Sequence, residues 1–137
     1  MNIQGSLGRV ALIALAFGVT ACSEPKAPPH VSIVQPTDGA TVGQTFKVVM
    51  AVDGMKIRKA GKIIDGTGHY DLIIDGSAAP MGEVIVKDRE HLHFGDGQSE
   101  ATVHLYPGKH SLTLQFANGF DKSYGQALSQ TISVTVQ

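Results

Sequence analysis

The stretch Gly68-His69-Tyr70-Asp71-Leu72-Ile73-Ile74-Asp75, followed by Gly76, decides the fold of this chain. Apolar side chains alternate along it, as expected for a strand with one face in a protein core. The residues on that face are Tyr70, Leu72 and Ile74. The opposite face carries the His69 imidazole and the Asp71 carboxylate, which a purely structural strand does not need. We therefore predict a central strand that also presents groups suited to binding.

Similar short runs, separated by turn residues, occur on both sides of this stretch. They cover residues 31–34, 46–52, 83–87, 91–94, 101–105, 110–116 and 131–136. Glycines, several of them preceded by Asp, separate the runs, and no amphipathic helix pattern competes with them. The pattern predicts an all-β fold, an immunoglobulin-like antiparallel β-sandwich of about seven to eight strands, over residues 31–137.

The N-terminus predicts export and lipidation. Residues 1–21 have a positive end at Arg9 and an apolar run over residues 10–17 that is too short to span a membrane. Val19-Thr20-Ala21-Cys22 resembles the bacterial lipobox, which implies that Cys22 receives fatty acyl chains such as palmitate. Cys22 is the sole cysteine, so no internal disulfide competes for it. The alternative is a secretory signal cleaved elsewhere, with Cys22 incidental.

Residues 22–30 are Pro-rich and polar, and they predict an extended tether between the lipid and the domain. Eight extended residues reach only ~25 Å, so the domain would work close to the membrane. Ser23 after the lipidated cysteine favours sorting to the outer membrane. The expected location is the bacterial cell envelope, on the outer membrane and facing the periplasm.

Composition narrows the functional classes. The 137 residues are 42% hydrophobic and 17% charged, with a formal net charge of −1, which is typical of one globular domain. No basic run interleaved with aromatic residues occurs, so nucleic acid is not an expected partner. No nucleophile elbow or Ser/His/Asp set can be assembled, and we expect no enzymatic activity. The oligomeric state stays open.

Three ordered motifs resemble those of the bacterial domain of unknown function 4399. The family pattern runs Gly-His-His-His-Leu-Leu-Ile-Asp, then His-Phe-Gly-x-Gly-Gln-Thr-Glu-Ala, then Leu-x-Pro-Gly-x-His-x-Leu. The matching segments here are residues 68–75, 93–101 and 105–112. Two of the three consecutive histidines are Tyr70 and Asp71 in this chain, and the Asp and His that many members carry after the penultimate strand are replaced around Ala117-Asn118-Gly119. The resemblance implies a fold and no activity.

The histidines and aspartates support a metal hypothesis. In extended strands His69 and Asp71 share one face, and His91 and His93 share a face of their own strand. If the two strands were neighbours, three imidazoles and one carboxylate could hold zinc, or copper in a tetragonal geometry. The alternative is structural, with His69 and Asp71 hydrogen-bonded to each other and His91 and His93 solvated.

Two functions therefore stay open. The first is a non-catalytic, membrane-anchored interaction domain whose long loops, residues 54–67 and 76–82, would meet an envelope protein or another ligand. The second is a periplasmic zinc- or copper-binding lipoprotein that uses His69, Asp71, His91 and His93. Convergence of these side chains in the folded chain would favour the second.

Overall fold

The structure is a computed structural model that describes residues 13–137. The first part of the predicted signal, including Arg9, lies outside the described residues. Residues 13–29 are exposed and without regular secondary structure, and Cys22 is exposed and forms no disulfide. Among the described residues no helix has the length and apolar character needed to cross a membrane.

Between residues 13 and 137 the chain forms a β-sandwich of nine strands, which confirms the predicted all-β class. The strands are β1 (His30–Gln35), β2 (Ala40–Val42), β3 (Thr45–Asp53), β4 (Lys56–Ile57), β5 (Thr67–Ile74), β6 (His91–His93), β7 (Glu100–His104), β8 (Gly108–Ala117) and β9 (Ser129–Val136). A short 3-10 helix, Gln126–Leu128, precedes β9.

One sheet has the order β1-β3-β7, and the other has the order β2-β9-β8-β5-β4, with β6 also paired to β5. Most pairs are antiparallel, as predicted, but the short pairs β2–β9 and β4–β5 are parallel. The alternation signal missed β2 and β4 because strands of two or three residues are too short to show a period.

The central strand lies where its sequence predicts. Tyr70, Leu72 and Ile74 of β5 enter the core between the sheets, together with the inward residues of β8 and β9. The inward residues of β8 are Leu112, Leu114 and Phe116, and all three are fully buried. The alternation therefore identified the inner face of the six-stranded sheet correctly.

The outer face of β5 is also buried, because residues 76–90, here called the cover segment, cross it. Thr113 of β8 donates a hydrogen bond to Gly76 O at 2.9 Å, and Ser123 donates to Ala79 O at 2.8 Å. Ile73 of β5 and Ile85 of the cover segment are both buried there. The prediction of a strand over residues 83–87 is wrong: this part of the cover segment forms one isolated bridge, Val84 with Lys122, because it packs on the sheet face instead of extending the ladder.

Candidate metal centre

The site begins on the outer face of β5, where His69 and Asp71 are both fully buried. His69 Nε2 lies 3.7 Å from Asp71 Oδ2. The preceding Gly68 lets β5 lie tightly against β8, because a Cβ at that position would collide with Ala117 O and the Phe116 ring. The glycine that precedes His69 in the sequence thus has a steric basis.

The second part of the site comes from β6, which pairs antiparallel with β5 and places His93 opposite Asp71. His93 Nδ1 donates a hydrogen bond to Asp71 Oδ1 at 2.9 Å. The His69 and His93 rings meet edge to face, with centroids 4.7 Å apart. A carboxylate that orients one nitrogen of an imidazole, leaving the other free, is the usual support for a metal-bound histidine.

Asp121 completes the group, and sequence reasoning missed it. Its Oδ1 lies 3.2 Å from His69 Nε2 and 3.6 Å from His93 Nε2. The turn after β8 holds it: Asn118 Oδ1 accepts hydrogen bonds from Phe120 N and Lys122 N, and Asp121 itself has φ 60°. Many members of the family that the sequence resembles carry an Asp after the penultimate strand. Asp121 lies four residues beyond Ala117, so this pattern could have identified it.

Three of the distances among these atoms match the spacing of ligands in a metal site. Bonds of ~2.0–2.2 Å in a tetrahedral arrangement separate neighbouring donor atoms by about 3.4 Å. The observed separations of 3.2, 3.6 and 3.7 Å bracket that value. One donor atom from each of His69, Asp71 and His93 also falls within 4.8 Å of the others. Each of these three pairs is therefore spaced as two ligands of one ion would be.

The converging atoms have no hydrogen-bond partners of their own. His69 Nε2, Asp71 Oδ2 and Asp121 Oδ1 are buried and unpaired, although His69 Nε2 lies within 4 Å of each of the two carboxylate oxygens. Their directions do not meet hydrogen-bond geometry, and His69 Nδ1 is unpaired as well. A buried polar atom without a partner costs about 1–3 kcal/mol, so the arrangement lowers the stability of the metal-free fold. An ion bound by His69 Nε2 and Asp121 Oδ1 would remove much of that cost.

The protonation states suit a cation. Burial, assisted by His93 and opposed by the nearby Asp121 carboxylate, lowers the pKa of His69, so its imidazole is neutral with a free lone pair at neutral pH. Burial also raises the pKa of Asp71 to about 6, against the opposing effect of the His93 hydrogen bond. Above that pH both groups carry the forms that bind metal.

Glycine and lysine shape the edge of the site. A Cβ at Gly95 would overlap His93 Nε2, so the glycine of the His-Phe-Gly motif makes room for the ring. Beside it a shallow cleft lined by Lys59, Gly95 and Asp96 reaches His93, whose side chain is 18% exposed. On the other side Lys87 Nζ binds Asp121 Oδ2 at 3.0 Å and leaves Oδ1 facing the histidines.

The structure does not bring His91 into this group, although its sequence position suggested it. His91 Nδ1 lies 2.8 Å from Asp88 Oδ1, which also accepts hydrogen bonds from Glu90 N and His91 N. This local turn directs the His91 ring away from the site. His110 lies at the far end of β8, where Nε2 donates to Tyr106 O, as expected for a core-edge histidine near the Pro107-Gly108 turn.

Comparison with known proteins places the chain in a family. The model of the domain of unknown function DUF4399 matches residues 48–137, a range that contains the whole candidate site. The chain belongs to the DUF4399 family. A search of curated proteins found no match.

A solved structure, the endo-beta-1,4-mannanase from Thermotoga petrophila, matches this DUF4399 chain with a TM-score of 0.49 and 18% identity. The match covers 83% of this chain and 21% of the mannanase chain, so this chain spans about a fifth of that protein. A likeness at this level says nothing about the activity of the present domain.

Proposed function

We propose that this DUF4399 chain is a lipid-anchored periplasmic protein whose sandwich binds one zinc or copper ion without catalysing a reaction. One observation carries the metal assignment: buried donor atoms of His69, Asp71 and Asp121 converge without hydrogen-bond partners. His93 Nε2 joins them at 3.6 Å from Asp121 Oδ1. In soluble proteins such unpaired buried groups are rare and costly, and here they point at one another.

Each residue has a distinct part in this proposal. His69 Nε2, His93 Nε2 and Asp121 Oδ1 would bind the ion, and Asp71 would act through His93. Asp71 Oδ1 would keep its hydrogen bond to His93 Nδ1 and so fix the ring orientation. Lys87 would hold the second oxygen of Asp121. Two imidazoles and a carboxylate suit Zn²⁺, and Cu²⁺ accepts the same donors in a flatter geometry.

Limited access supports a binding role. Catalytic zinc sites keep a coordination position open for water or substrate. Here His69 is fully buried, His93 and Asp121 are 18% and 21% exposed, and a shallow cleft reaches His93. The lipobox-like segment ending at Cys22 and the exposure of that cysteine support the proposed anchor.

Titration of the mature, tag-free chain with Zn²⁺ and Cu²⁺ tests the metal assignment, followed by calorimetry and by thermal melting. We expect one ion per chain and a rise in melting temperature, because a ligand that binds only the folded state stabilises it. Asp121→Asn should weaken binding at least about tenfold, or ~1.4 kcal/mol. Asn is the suitable replacement because it tolerates the positive φ of Asp121.

Asp96→Asn is the matched control, since Asp96 is an exposed carboxylate near the same site that pairs with Lys59. It should leave the affinity unchanged. Flat titrations with both ions, or equal affinities of the Asp121→Asn and Asp96→Asn variants, would refute the metal assignment.

A second candidate function, docking of an envelope protein, is favoured by an exposed apolar group on the cover segment and the neighbouring turn. Its members are Met81, Val84, Val86 and Phe120, each more than half exposed. The Val84–Lys122 bridge holds the two segments side by side. Site-specific photo-crosslinking in cells from position 86, compared with position 47 on β3, tests this function. A single product found from position 86 alone would support it, and identical products would contradict it.

A further inference from the structure

Charge is distributed unevenly over the chain, and the segment 54–67 is its basic part. This segment, here called the basic loop although it includes β4 and the first residue of β5, contains Lys56, Arg58, Lys59 and Lys62 against one carboxylate, Asp65. Its formal charge is therefore +3 in a chain whose net charge is −1, which leaves −4 for all other residues. All four basic residues are exposed. A cationic surface of this kind fits an anionic partner.

The basic loop also exposes apolar side chains between its charges. Ile57 is 37% exposed and Ile63 is 51% exposed. Arg58, Lys59 and Lys62 line one depression. A segment that exposes both basic and aliphatic side chains suits a lipid headgroup layer, where the charges meet phosphates and the aliphatic groups enter the interface. A soluble anion would leave the isoleucines in water.

The tether places the basic loop at the anchored end of the domain. Lys26 of the tether lines the same depression as Lys56 and Gly66, and Pro29 packs against Gly54 with its Cα 3.0 Å from where a Cβ would lie. Cys22 is four residues before Lys26, a distance of at most ~14 Å in extended chain. A lipid on Cys22 would therefore hold the basic loop at the membrane surface.

The backbone keeps the basic loop in a fixed position on the sandwich. Ala60 N donates to Gly95 O, and Gly61 N donates to Gly119 O, both at 2.7 Å. Gly119 approaches the loop so closely that a Cβ there would collide with Lys62 O. The loop is thus pre-ordered, and it spends little conformational entropy on binding a surface.

We propose that the basic loop is a second membrane contact, which docks on anionic phospholipid headgroups beside the lipid anchor. The contact orients the domain, with Arg58 and Lys62 on the phosphates and Ile57 and Ile63 at the headgroup boundary. It does not depend on the metal site, and it does not need the acyl chains for its own affinity.

Vesicle sedimentation of the mature chain carrying Cys22→Ser tests the contact without any acyl group. We expect binding to vesicles that contain phosphatidylglycerol, little binding to vesicles of phosphatidylcholine alone, and loss of binding at high salt. Each basic residue near an anionic surface contributes about fivefold to the affinity, so Arg58→Gln with Lys62→Gln should lower it about 25-fold.

Arg89→Gln with Lys109→Gln is the matched control, because it removes the same two residue types from the opposite end of the six-stranded sheet. Lys109 lies near the start of β8, whereas the basic loop adjoins the end of β8. The control should bind as tightly as the parent. Equal binding to both vesicle types, no binding to either, or equal losses in the two double variants would overturn the proposal. Circular dichroism of each variant confirms that it is folded.

Discussion

The two faces of β5 are equally inaccessible to solvent but chemically opposite. The inner face carries Tyr70, Leu72 and Ile74 in the main core, and the outer face carries His69, Asp71 and Ile73 beneath the cover segment. Apart from the Tyr70 hydroxyl, the inner face buries apolar atoms whose removal from water stabilises the fold. The outer face buries polar atoms that find no hydrogen-bond partner.

This difference separates two reasons for burial. Inner residues are buried because burial lowers the free energy of the folded chain. The polar outer residues are buried at a cost, and a fold keeps such a cost where the groups act on something else. The two faces should therefore respond differently to substitution and to metal.

The largest effect is expected on the inner face. Leu72→Ala should reduce the free energy of unfolding by about 3–4 kcal/mol, because it opens a cavity in a close-packed core. Ile73→Ala, on the outer face, should cost only about 2 kcal/mol, since the cover segment above it has no regular structure and can settle into the space. Urea denaturation of both variants measures the difference. Equal losses would show that the outer layer is as rigid as the core.

For the outer polar residues we expect substitution to change the free energy of unfolding in the opposite direction. His69→Leu should raise the stability of the metal-free chain by about 1 kcal/mol, because it removes a buried ring that has no hydrogen bond. It should also abolish the stabilisation by metal, which is about 2.7 kcal/mol at 100 times the dissociation constant.

Thermal melting with and without Zn²⁺ measures both effects of His69→Leu. The exposed His104, which pairs with Thr45, supplies the control His104→Leu, which should keep the metal response. A clear loss of metal-free stability in His69→Leu would mean that His69 serves the fold and would remove the contrast between the two faces.

A smaller effect should follow from the glycine beside His93. Gly95→Ala would push the His93 ring away, because the new Cβ overlaps Nε2, and should weaken metal binding about tenfold, or ~1.4 kcal/mol. Gly43→Ala is the control, since nothing lies near its Cβ position and its φ is not positive. Calorimetric titration of the two variants decides whether the glycine supports the site or merely the turn.

The sequence predicts the inner face of β5 better than it predicts the site on the outer face. Alternation with a period of two identified the inner faces of β5 and β8, because that pattern is local. The site depends on non-local facts: the register that sets His93 opposite Asp71, and the turn that returns Asp121 to β5. The capture of His91 by Asp88 is local, three residues apart, and was within reach of sequence reasoning.

The smallest effect concerns two polar groups, His110 on β8 and Asp75 just after β5, which are fully hydrogen-bonded, unlike the groups of the candidate site. His110 Nδ1 donates to Asp75 Oδ2 at 2.7 Å and Nε2 donates to Tyr106 O, so both nitrogens face acceptors and the hydrogen bond to Asp75 raises the pKa of His110. The pKa of Asp75 is lowered, because hydrogen bonds from His110 and Ser111 outweigh its desolvation.

These shifts determine how the stability of the fold depends on pH. The stabilisation from His110 is full below its ordinary pKa of 6.5 and is lost as pH rises through the folded value, whereas the stabilisation from Asp75 is present above 3.8 and is lost as pH falls. The pair should therefore stabilise the chain most between about pH 4 and pH 6.5, by ~0.5–1 kcal/mol because Asp75 is half exposed. Urea denaturation of the parent and of His110→Gln at pH 5 and pH 8.5 measures this contribution, and a stability difference that does not shrink at pH 8.5 would show that the ring contributes by packing and not by charge.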